Sequence, residues 1–595
     1  MPLMAADPSV PLAEGLEPTR EDWEKATAAV LRKSRRLAED APDADVWNAL
    51  ATTTLDGIDI TALGTPALSA DLPDPGLPGQ APFTRGATAL RAGGGWDIRG
   101  WFADPDAQRT ADDVTTDLEN GVNSLWLSLG TGGVAIEALP QILRPVFVDL
   151  AAVVLDAPGE PVEAAEAFAA VVDDKAVTPA PGTSLGADPI GAAVRGVGAT
   201  DLAVAVDVAR IADRIGARGI TVDATAVHDA GASDVQELAY SLAAGAAYLR
   251  ALVEAGFAPD RAAALIDFRY AATDQQFPTI AKLRAARRLW TRVQELSGIS
   301  PIGQYQHAVT SRPMMSRYDT YVNMLRTTVA TFAAGVGGAD AVTTLPFDEP
   351  LGLPEAFGRR IARNTSSLLI EESHVAAVTD PAGGAHAVEK VTDDLAVAAW
   401  RLFGELDAAD DLVAAIRPHV DRAVQERAGL IATRRWPLTG VSEFPNLHED
   451  LPQRRPYAPG RPAVFRYAHE YEAMRDARAS TPVFLATIGT VAEHTARATF
   501  AANLFAAGGV DTVIAGATVG VDGVLEAYDG SPVVCLCGTD AAYAEIGTDL
   551  VNALRADGAK HVVVAGRADI GADAQAAMGL DALAFLRRIR QELGA

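Results

Sequence analysis

Apolar and polar residues repeat along this chain in one dominant rhythm, interrupted twice by stretches of different texture. From Thr19 the stretch "TREDWEKATAAVLRKSRRLAE" sets apolar residues at helical spacing behind a capping-type Thr19, with Asp22 three residues on. This predicts a peripheral helix, or an arm lying across another subunit. Residues 1–17 are rich in Pro and Ala and read as loose; residues 56–90 are rich in Gly and Pro and read as irregular. From about residue 120 the pattern becomes short apolar strand, polar loop, Ala-rich helix. Candidate strands are "NSLWLSLG", "PVFVDLAAV", "GTSLGAD", "GITVDAT", "AALIDFRYA", "IGQYQHAVT", "DAVTTLPF" and "HVAAVTD", of which the second and third carry the weakest pattern. Eight strands alternating with helices is the count of a (β/α)8 TIM barrel.

Residues 427–480 break the rhythm. They hold Arg434, Arg435, Arg454, Arg455 and six prolines, and read as a long wrapping linker. Beyond it "VFLATIG", "DTVIAGAT", "PVVCLCGT" and "HVVVAGR" are each followed by a helical pattern, which predicts a flavodoxin-like doubly wound domain with its ligand crevice at the carboxyl ends of the strands. The expected organisation is α/β: an N-terminal arm and extended segment (1–90), a (β/α)8 barrel (91–426), the linker (427–480) and the flavodoxin-like domain (481–595).

Charge narrows the partners. The 595 residues include 50 basic and 78 acidic side chains, a net charge of -28, which repels nucleic-acid phosphates and anionic lipid surfaces alike. No apolar run approaches a bilayer span, and Met1 to Gly15 has neither a basic nor an apolar targeting region. The two cysteines, Cys535 and Cys537, alternate on one strand and read as core thiols, in keeping with a reducing cytoplasm.

One stretch raises a chemical question. "VFLATIGTVAEHTARATF" (Val483 to Phe500) runs from a strand into a helix whose first turn carries Glu493 and His494, at a junction that collects backbone N–H groups. A histidine there is ordinarily a solvated helix residue, and its neighbours decide whether it is more.

Longer stretches supply those neighbours. "HDAGASDVQELAYSLA" (His228 to Ala243), "KLRAARRLWTRV" (Lys282 to Val293), "FDEPLGLPEAFGRRIARNTSSLLIEES" (Phe347 to Ser373) and "DPAGG" (Asp380 to Gly384), in a chain ordered barrel, linker, flavodoxin-like domain, resemble the methylmalonyl-CoA mutase family of adenosylcobalamin enzymes. The resemblance covers nearly the whole chain. It implies interconversion of succinyl-CoA and (R)-methylmalonyl-CoA by a radical mechanism, in assemblies that include unequal pairs of a working subunit and a related partner.

Measured against the family's motifs, this chain departs where the chemistry would be. The family opens its cobalamin domain with Asp-x-His-x-x-Gly. Aligned through Gly489, this chain has Val491, Glu493 and Ala496 at those places, with His494 one residue late and about 100° further round the helix. The family's preceding lysine is Thr487, and its downstream Ser-x-Leu and Gly-Gly positions read Gly538 to Asp540 and Ala565 with Gly566. In the barrel, Thr225 and Ala226 stand where a substrate-contacting Tyr-His pair would be. His228 lies two residues on, able to face the same side if the segment is extended. Gly94 replaces the first Arg of Arg-Pro-Trp-Thr-Ile-Arg-Gln-Tyr, Arg99 matches the second, Trp101 replaces the Tyr, and Leu185 stands at a family Gln.

The resemblance therefore implies a degenerate cobalamin-binding domain and a noncatalytic chain. No catalytic, cofactor-binding or metal residue is assigned to it; adenosylcobalamin and acyl-CoA belong to a catalytic large subunit in a heterodimer. Two other readings stay open. One is an independently active acyl-CoA mutase with an altered cobalamin site using His494 and His228; the other is a metal-dependent barrel lyase with His228, Asp229 and Asp223 as ligands.

Overall fold

The computed structural model describes residues 18–595, so the reading of residues 1–17 as loose lies outside the described residues. Eight parallel strands close into a barrel: β1 (Asp97–Phe102), β2 (Ser124–Ser128), β3 (Ala152–Asp156), β4 (Ser184–Ala187), β5 (Arg218–Asp223), β6 (Ile266–Ala272), β7 (Gln306–Thr310) and β8 (Ala341–Thr343). The ring closes where Ala341 of β8 pairs with Asp97 of β1. Five more parallel strands form a second sheet: β9 (Val483–Thr487), β10 (Thr512–Ile514), β11 (Val533–Cys537), β12 (His561–Ala565) and β13 (Ala574–Ala576), in spatial order β10-β9-β11-β12-β13. That order is the flavodoxin one, with the reversal of winding between β9 and β11. Cys535 and Cys537 are buried in β11 and unbridged. Among the described residues no helix is long and apolar enough to cross a membrane.

The barrel has the expected strand number but not the expected membership. β1 was not among the candidate strands, because its inward positions carry Arg99 and Trp101 and its centre is Gly100, which spoils the apolar run. "HVAAVTD" is not a strand: His374 and Asp380 both have left-handed backbone (φ 52°), and the Asp380 carboxylate is drawn inward to Arg85 (2.9 Å) and Arg284 (3.1 Å). "PVFVDLAAV" is mostly turn. Val146 and Val148 are buried while Phe147 and Leu150 face solvent, an alternation that imitates a strand, and β3 itself begins only at Ala152. The β4 ladder is thin and shifts register between Ser184 and Ala187. Gly186 sits there at φ 70°, where any Cβ would run into the Leu155 carbonyl. In the second sheet β13 was not foreseen; only three residues pair at that edge.

The N-terminal helix Arg20–Lys33 begins as the spacing predicts: the Thr19 hydroxyl accepts from Asp22 N (3.2 Å) and Asp22 returns the bond to Thr19 N (2.9 Å). With the short helix Val46–Leu50 it makes its own small core of Trp23, Ala28, Leu31 and Trp47, leaving Val30 exposed. Residues 52–60 hold a two-residue antiparallel pair, and the segment that follows is otherwise largely irregular. Helix Leu412–Ala432 runs through residue 427, so the irregular linker starts later than its composition suggests.

Arg287, in the long helix Gln276–Leu296, ties the irregular segment to the barrel. Its guanidinium donates to the carbonyls of Phe83 (3.0 Å), Thr84 (3.0 Å) and Gly337 (2.7 Å) and to Gln306 Oε1 (2.6 Å). Burial pushes its pKa down to about 10, since no carboxylate faces it closely. Arg287→Met should orphan three buried carbonyls at about 1–3 kcal/mol each and unpin residues 82–84. The expected outcome is a lower urea midpoint for the barrel and new proteolytic cleavage between residues 70 and 90; an unchanged midpoint would show that the segment is held elsewhere.

Candidate functional site

Barrel enzymes work at the carboxyl ends of their strands, so the mouth formed there is the first place to look. Here it is filled by the chain's own side chains. Trp101 of β1 and Trp126 of β2 lie with ring centres 6.1 Å apart, and Trp101 Nε1 donates to Ser128 Oγ (3.0 Å). Arg269 of β6 covers Trp126 at 4.1 Å, and Arg312 lies 5.4 Å from Trp101 and 5.6 Å from Trp126. Asp223, at the end of β5, takes both Arg269 (2.7 Å) and Arg195 (2.7 Å). Burial alone would raise its pKa; the two guanidiniums and the Thr225 hydroxyl outweigh that and hold it well below the usual carboxylate range. Burial, with Arg99, Arg269 and Arg312 nearby, lowers His307 well below an ordinary imidazole. The ring is therefore neutral: Nδ1 accepts from Arg269 Nε (3.1 Å), which leaves Nε2–H to donate to Thr343 Oγ1 (2.8 Å).

The linker completes this plug. Arg461 pairs with Glu349 and lies 5.0 Å from the Trp101 ring and 3.8 Å from that of Tyr457. Arg454 binds Asp348 (2.5 Å), Arg455 binds Asp104 and forms a single bridge to Leu353, and Phe465 N donates to the Asp229 carbonyl (2.8 Å). The linker is thus stitched to the ends of β1, β5 and β8. The void left among Trp101, Trp126, Arg195 and Arg461 is about 80 Å³, against the roughly 300–1,000 Å³ of small-molecule sites.

The sequence candidates fall as follows. Thr225 donates to Asp223 (2.5 Å), and Ala226 is buried beside it. The segment is not extended: Asp223 also accepts Thr225 N (3.0 Å), turning the chain into the short helix Thr225–Asp229, so His228 does not share a side with Ala226. His228 instead binds Ser311 Oγ (2.7 Å) and approaches Glu237 (3.6 Å). Asp229 faces Arg312 (3.3 Å) while Asp223 holds its own two arginines; among the described residues no three metal-binding side chains converge, which removes the lyase reading. Arg99 is turned to the amino end of the barrel, onto Ser124 Oγ (2.7 Å), Gly182 O (3.4 Å) and Tyr305 (3.3 Å). Gly94 occupies a left-handed turn before β1, and Leu185 is buried in β4.

At the carboxyl ends of the second sheet, Thr490 and Glu493 form a capping box for the helix Val491–Ala507: the Glu493 carboxylate accepts Thr490 N (2.7 Å) and Thr490 Oγ1 (2.8 Å). Val491 is 63% exposed, whereas His494 is 5% exposed, with Nδ1 buried and unpaired among the described residues. The solvated histidine that the helix start suggested is instead turned into the domain. Thr487 Oγ1 donates to Gly516 O (2.5 Å). The crevice between β9, β11 and β12 holds Tyr543, whose hydroxyl accepts Gly538 N (2.9 Å) and reaches the carbonyls of Leu536 (3.0 Å) and Ala565 (2.9 Å). Arg497 crosses it to Gly538 O (2.6 Å) and Asp540 (2.5 Å), and a Cβ on Gly566 would sit 3.1 Å from the Arg497 guanidinium. Ala496, two residues past His494, lies on the same helix.

Sequence reasoning missed Arg195, Arg269, Arg312, Arg461, Trp126 and Tyr543. Arg269 carried a signal, a basic residue two positions after Asp267 inside the otherwise apolar run "LIDFRYAA"; Arg461, between prolines in the linker, carried none.

A family model described as "Methylmalonyl-CoA mutase" matches residues 211–528, from the helix before β5 into the second sheet. Curated relatives extend the likeness over nearly the whole chain. The methylmalonyl-CoA mutase small subunit of Streptomyces virginiae is 47% identical over 98% of both chains. The chain belongs to the methylmalonyl-CoA mutase family. The probable mutase small subunit of Mycobacterium tuberculosis (strain ATCC 25618 / H37Rv) is 43% identical over 94% of both chains. That of Propionibacterium freudenreichii subsp. shermanii is 39% identical over 92% of this chain and 89% of its own. Within this mutase family, then, the features set out above are those of a chain that resembles the named small subunits over 92–98% of its length.

Arg461→Ala should uncover one face of Trp101 and leave Glu349 with only Arg312, at 3.6 Å. Losing one partner of a buried pair costs about 3–5 kcal/mol. We expect a lower thermal midpoint and a steeper acrylamide quenching of tryptophan fluorescence; unchanged quenching would mean the linker does not seal the mouth.

Proposed function

We propose that this chain is the noncatalytic small subunit of a heterodimeric methylmalonyl-CoA mutase. It stabilises a catalytic large subunit that binds adenosylcobalamin and acyl-CoA and interconverts succinyl-CoA and (R)-methylmalonyl-CoA by a radical mechanism. The observation that carries this reading is the filled barrel mouth: where a substrate thioester would have to lie, Trp101, Trp126, Arg312 and the linker's Arg461 pack around about 80 Å³. The cobalamin crevice supports it independently. Its residues do not fit a corrin held by a histidine, because Glu493 is committed to the cap, His494 is turned into the domain, and Tyr543 with Arg497 spans the cleft. On this reading acyl-CoA chemistry belongs to the partner, because the barrel mouth of this chain is filled.

The helical pair at residues 20–50, which packs on itself and leaves Val30 exposed, supports the reading of that arm as a contact with the large subunit. The two buried, unbridged thiols fit a cytoplasmic protein.

The test is reconstitution with the large subunit. His228→Ala and His494→Ala should leave turnover of the assembled enzyme within about twofold, since loss of a group acting in chemistry typically costs about 10²-fold or more. Cob(II)alamin added to this chain alone should show no histidine-nitrogen ligation by paramagnetic resonance. A hundredfold loss from either substitution in a folded heterodimer would favour the alternative, an active acyl-CoA mutase with an altered cobalamin site. Removal of residues 1–50 should raise the dissociation constant of the pair, and an unchanged constant would refute the role of the arm.

A further inference from the structure

The amphipathic pattern of the barrel's outer helices runs backwards at one place. A helix packed on a barrel ordinarily turns apolar residues in and charge out. The helix Pro161–Lys175 does so, exposing Glu163, Glu166, Asp173 and Asp174 over buried Ala164, Phe168 and Val172. The helix between β7 and β8 (Val322–Val336) carries a single charge, and that charge is buried: Arg326 donates to Ser316 Oγ (3.0 Å), Asn323 Oδ1 (2.8 Å) and the Thr439 carbonyl (2.7 Å). Outward, from the turn that starts the helix, come Tyr321, Leu325 and Val329, four residues apart and so on one stripe. The helix after β8 (Ala356–Ser367) repeats the inversion. Its Arg359 and Arg363 reach inward to Asp117, while Phe357 and, just past its end, Leu368 are exposed, with half-exposed Ile361 between them.

The two stripes make one surface. The helices pack side by side, and aromatic rings join them: Tyr321 lies 5.3 Å from Phe347, and Phe347 lies 5.7 Å from Phe357. Tyr321, Leu325, Val329, Phe357 and Leu368 are 36–68% exposed. Apolar residues scattered singly over a surface are ordinary, but a contiguous face made by turning charges inward marks a contact. Obligate interfaces are apolar in this way, like a core cut in half.

Charge indicates what lies opposite. Among the described residues Arg360 is the one exposed charge beside the stripes; it lies 5.5 Å from the Phe357 ring and pairs with no carboxylate. Acidic side chains stand only beyond the ends, at Glu355, which Arg454 holds (3.4 Å), and at Glu371 and Glu372. A second copy laid on this face would bring another Arg360 and no carboxylate from its own stripes, and two chains of net charge -28 repel at long range. A different chain, with an apolar surface and a carboxylate to meet Arg360, fits.

We propose, on the reading of this chain as a small subunit, that the face made by the helices Val322–Val336 and Ala356–Ser367 is where the catalytic large subunit seats on the barrel. Its apolar surface covers both stripes, and a carboxylate of its own pairs with Arg360.

The test is calorimetric titration of the whole chain with the large subunit, together with hydrogen exchange on the free chain and the complex. Peptides covering residues 321–336 and 356–368 should gain protection in the complex. Leu325→Glu, Leu368→Glu and Arg360→Glu should each weaken the pair about thirtyfold or more, and Ala170→Glu, on the exposed side of Pro161–Lys175, by less than about twofold. All four positions are exposed, so each free variant should keep the parent's thermal midpoint; where Leu325→Glu lowers it, Leu325→Gln carries the comparison. Unchanged dissociation constants, or helices left unprotected in a pair that does form, would overturn this proposal and leave the small-subunit reading standing. A parent chain that does not pair at all would overturn both. A chain that sediments alone as a dimer, split by Leu325→Glu, would make the occupant a second copy and overturn the proposal as well.

Discussion

A guanidinium carried into a barrel interior must find its counter-charge there, and the layout of this protein follows from that requirement. Arg195 and Arg269 share Asp223; Arg312 is divided between Asp229 and Glu349; Glu349 is completed only by Arg461. Each removal of charge from water is unfavourable unless the geometry of the pair is good, so the last arginine cannot be left to chance. It comes from the linker, which is why a segment without regular structure crosses the barrel mouth instead of running over the outside. The same guanidiniums lie against Trp101, Trp126 and Tyr457, so charge neutralisation and aromatic packing are one construction. A mouth built this way is full, and the structural role proposed for the chain rests on that filling.

Much of the architecture was legible because parallel strands buried on both faces read as short apolar runs between helices. "GITVDAT", "AALIDFRYA" and "IGQYQHAVT" became β5, β6 and β7. The errors are equally physical. β1 hides because an interior that contains Arg99 and Trp101 need not look apolar. "HVAAVTD" misleads because four small apolar residues suit a loop pinned by Asp380 as well as they suit a strand, and nothing in the run announces two left-handed residues.

The candidate sites were legible only where local rules govern them. The Thr490–Glu493 cap follows a local spacing rule although it was not read above, and it fixes the helix start that turns His494 inward. His228 was misplaced because Asp223 bonds to Thr225 and winds the next residues into a helix, a local contest between side chain and backbone that residue spacing does not decide. Arg461, 112 residues from Glu349 along the chain, meets it only through the folded barrel, so no pattern near it could have foretold the pairing.

The linker crossing also constrains the order in which the chain can be built during synthesis. Its residues emerge from the ribosome more than a hundred residues after β8 has closed the ring against β1, and Arg455 bonds to Asp104, 351 residues earlier. Until those late residues arrive, the nascent barrel carries buried arginines and tryptophans beneath an open top. Non-local contacts of this reach are slow to form and leave apolar surface exposed meanwhile. For an interval set by translation speed, the half-made chain lacks this cover, and its barrel top is closed only once its own linker has been made.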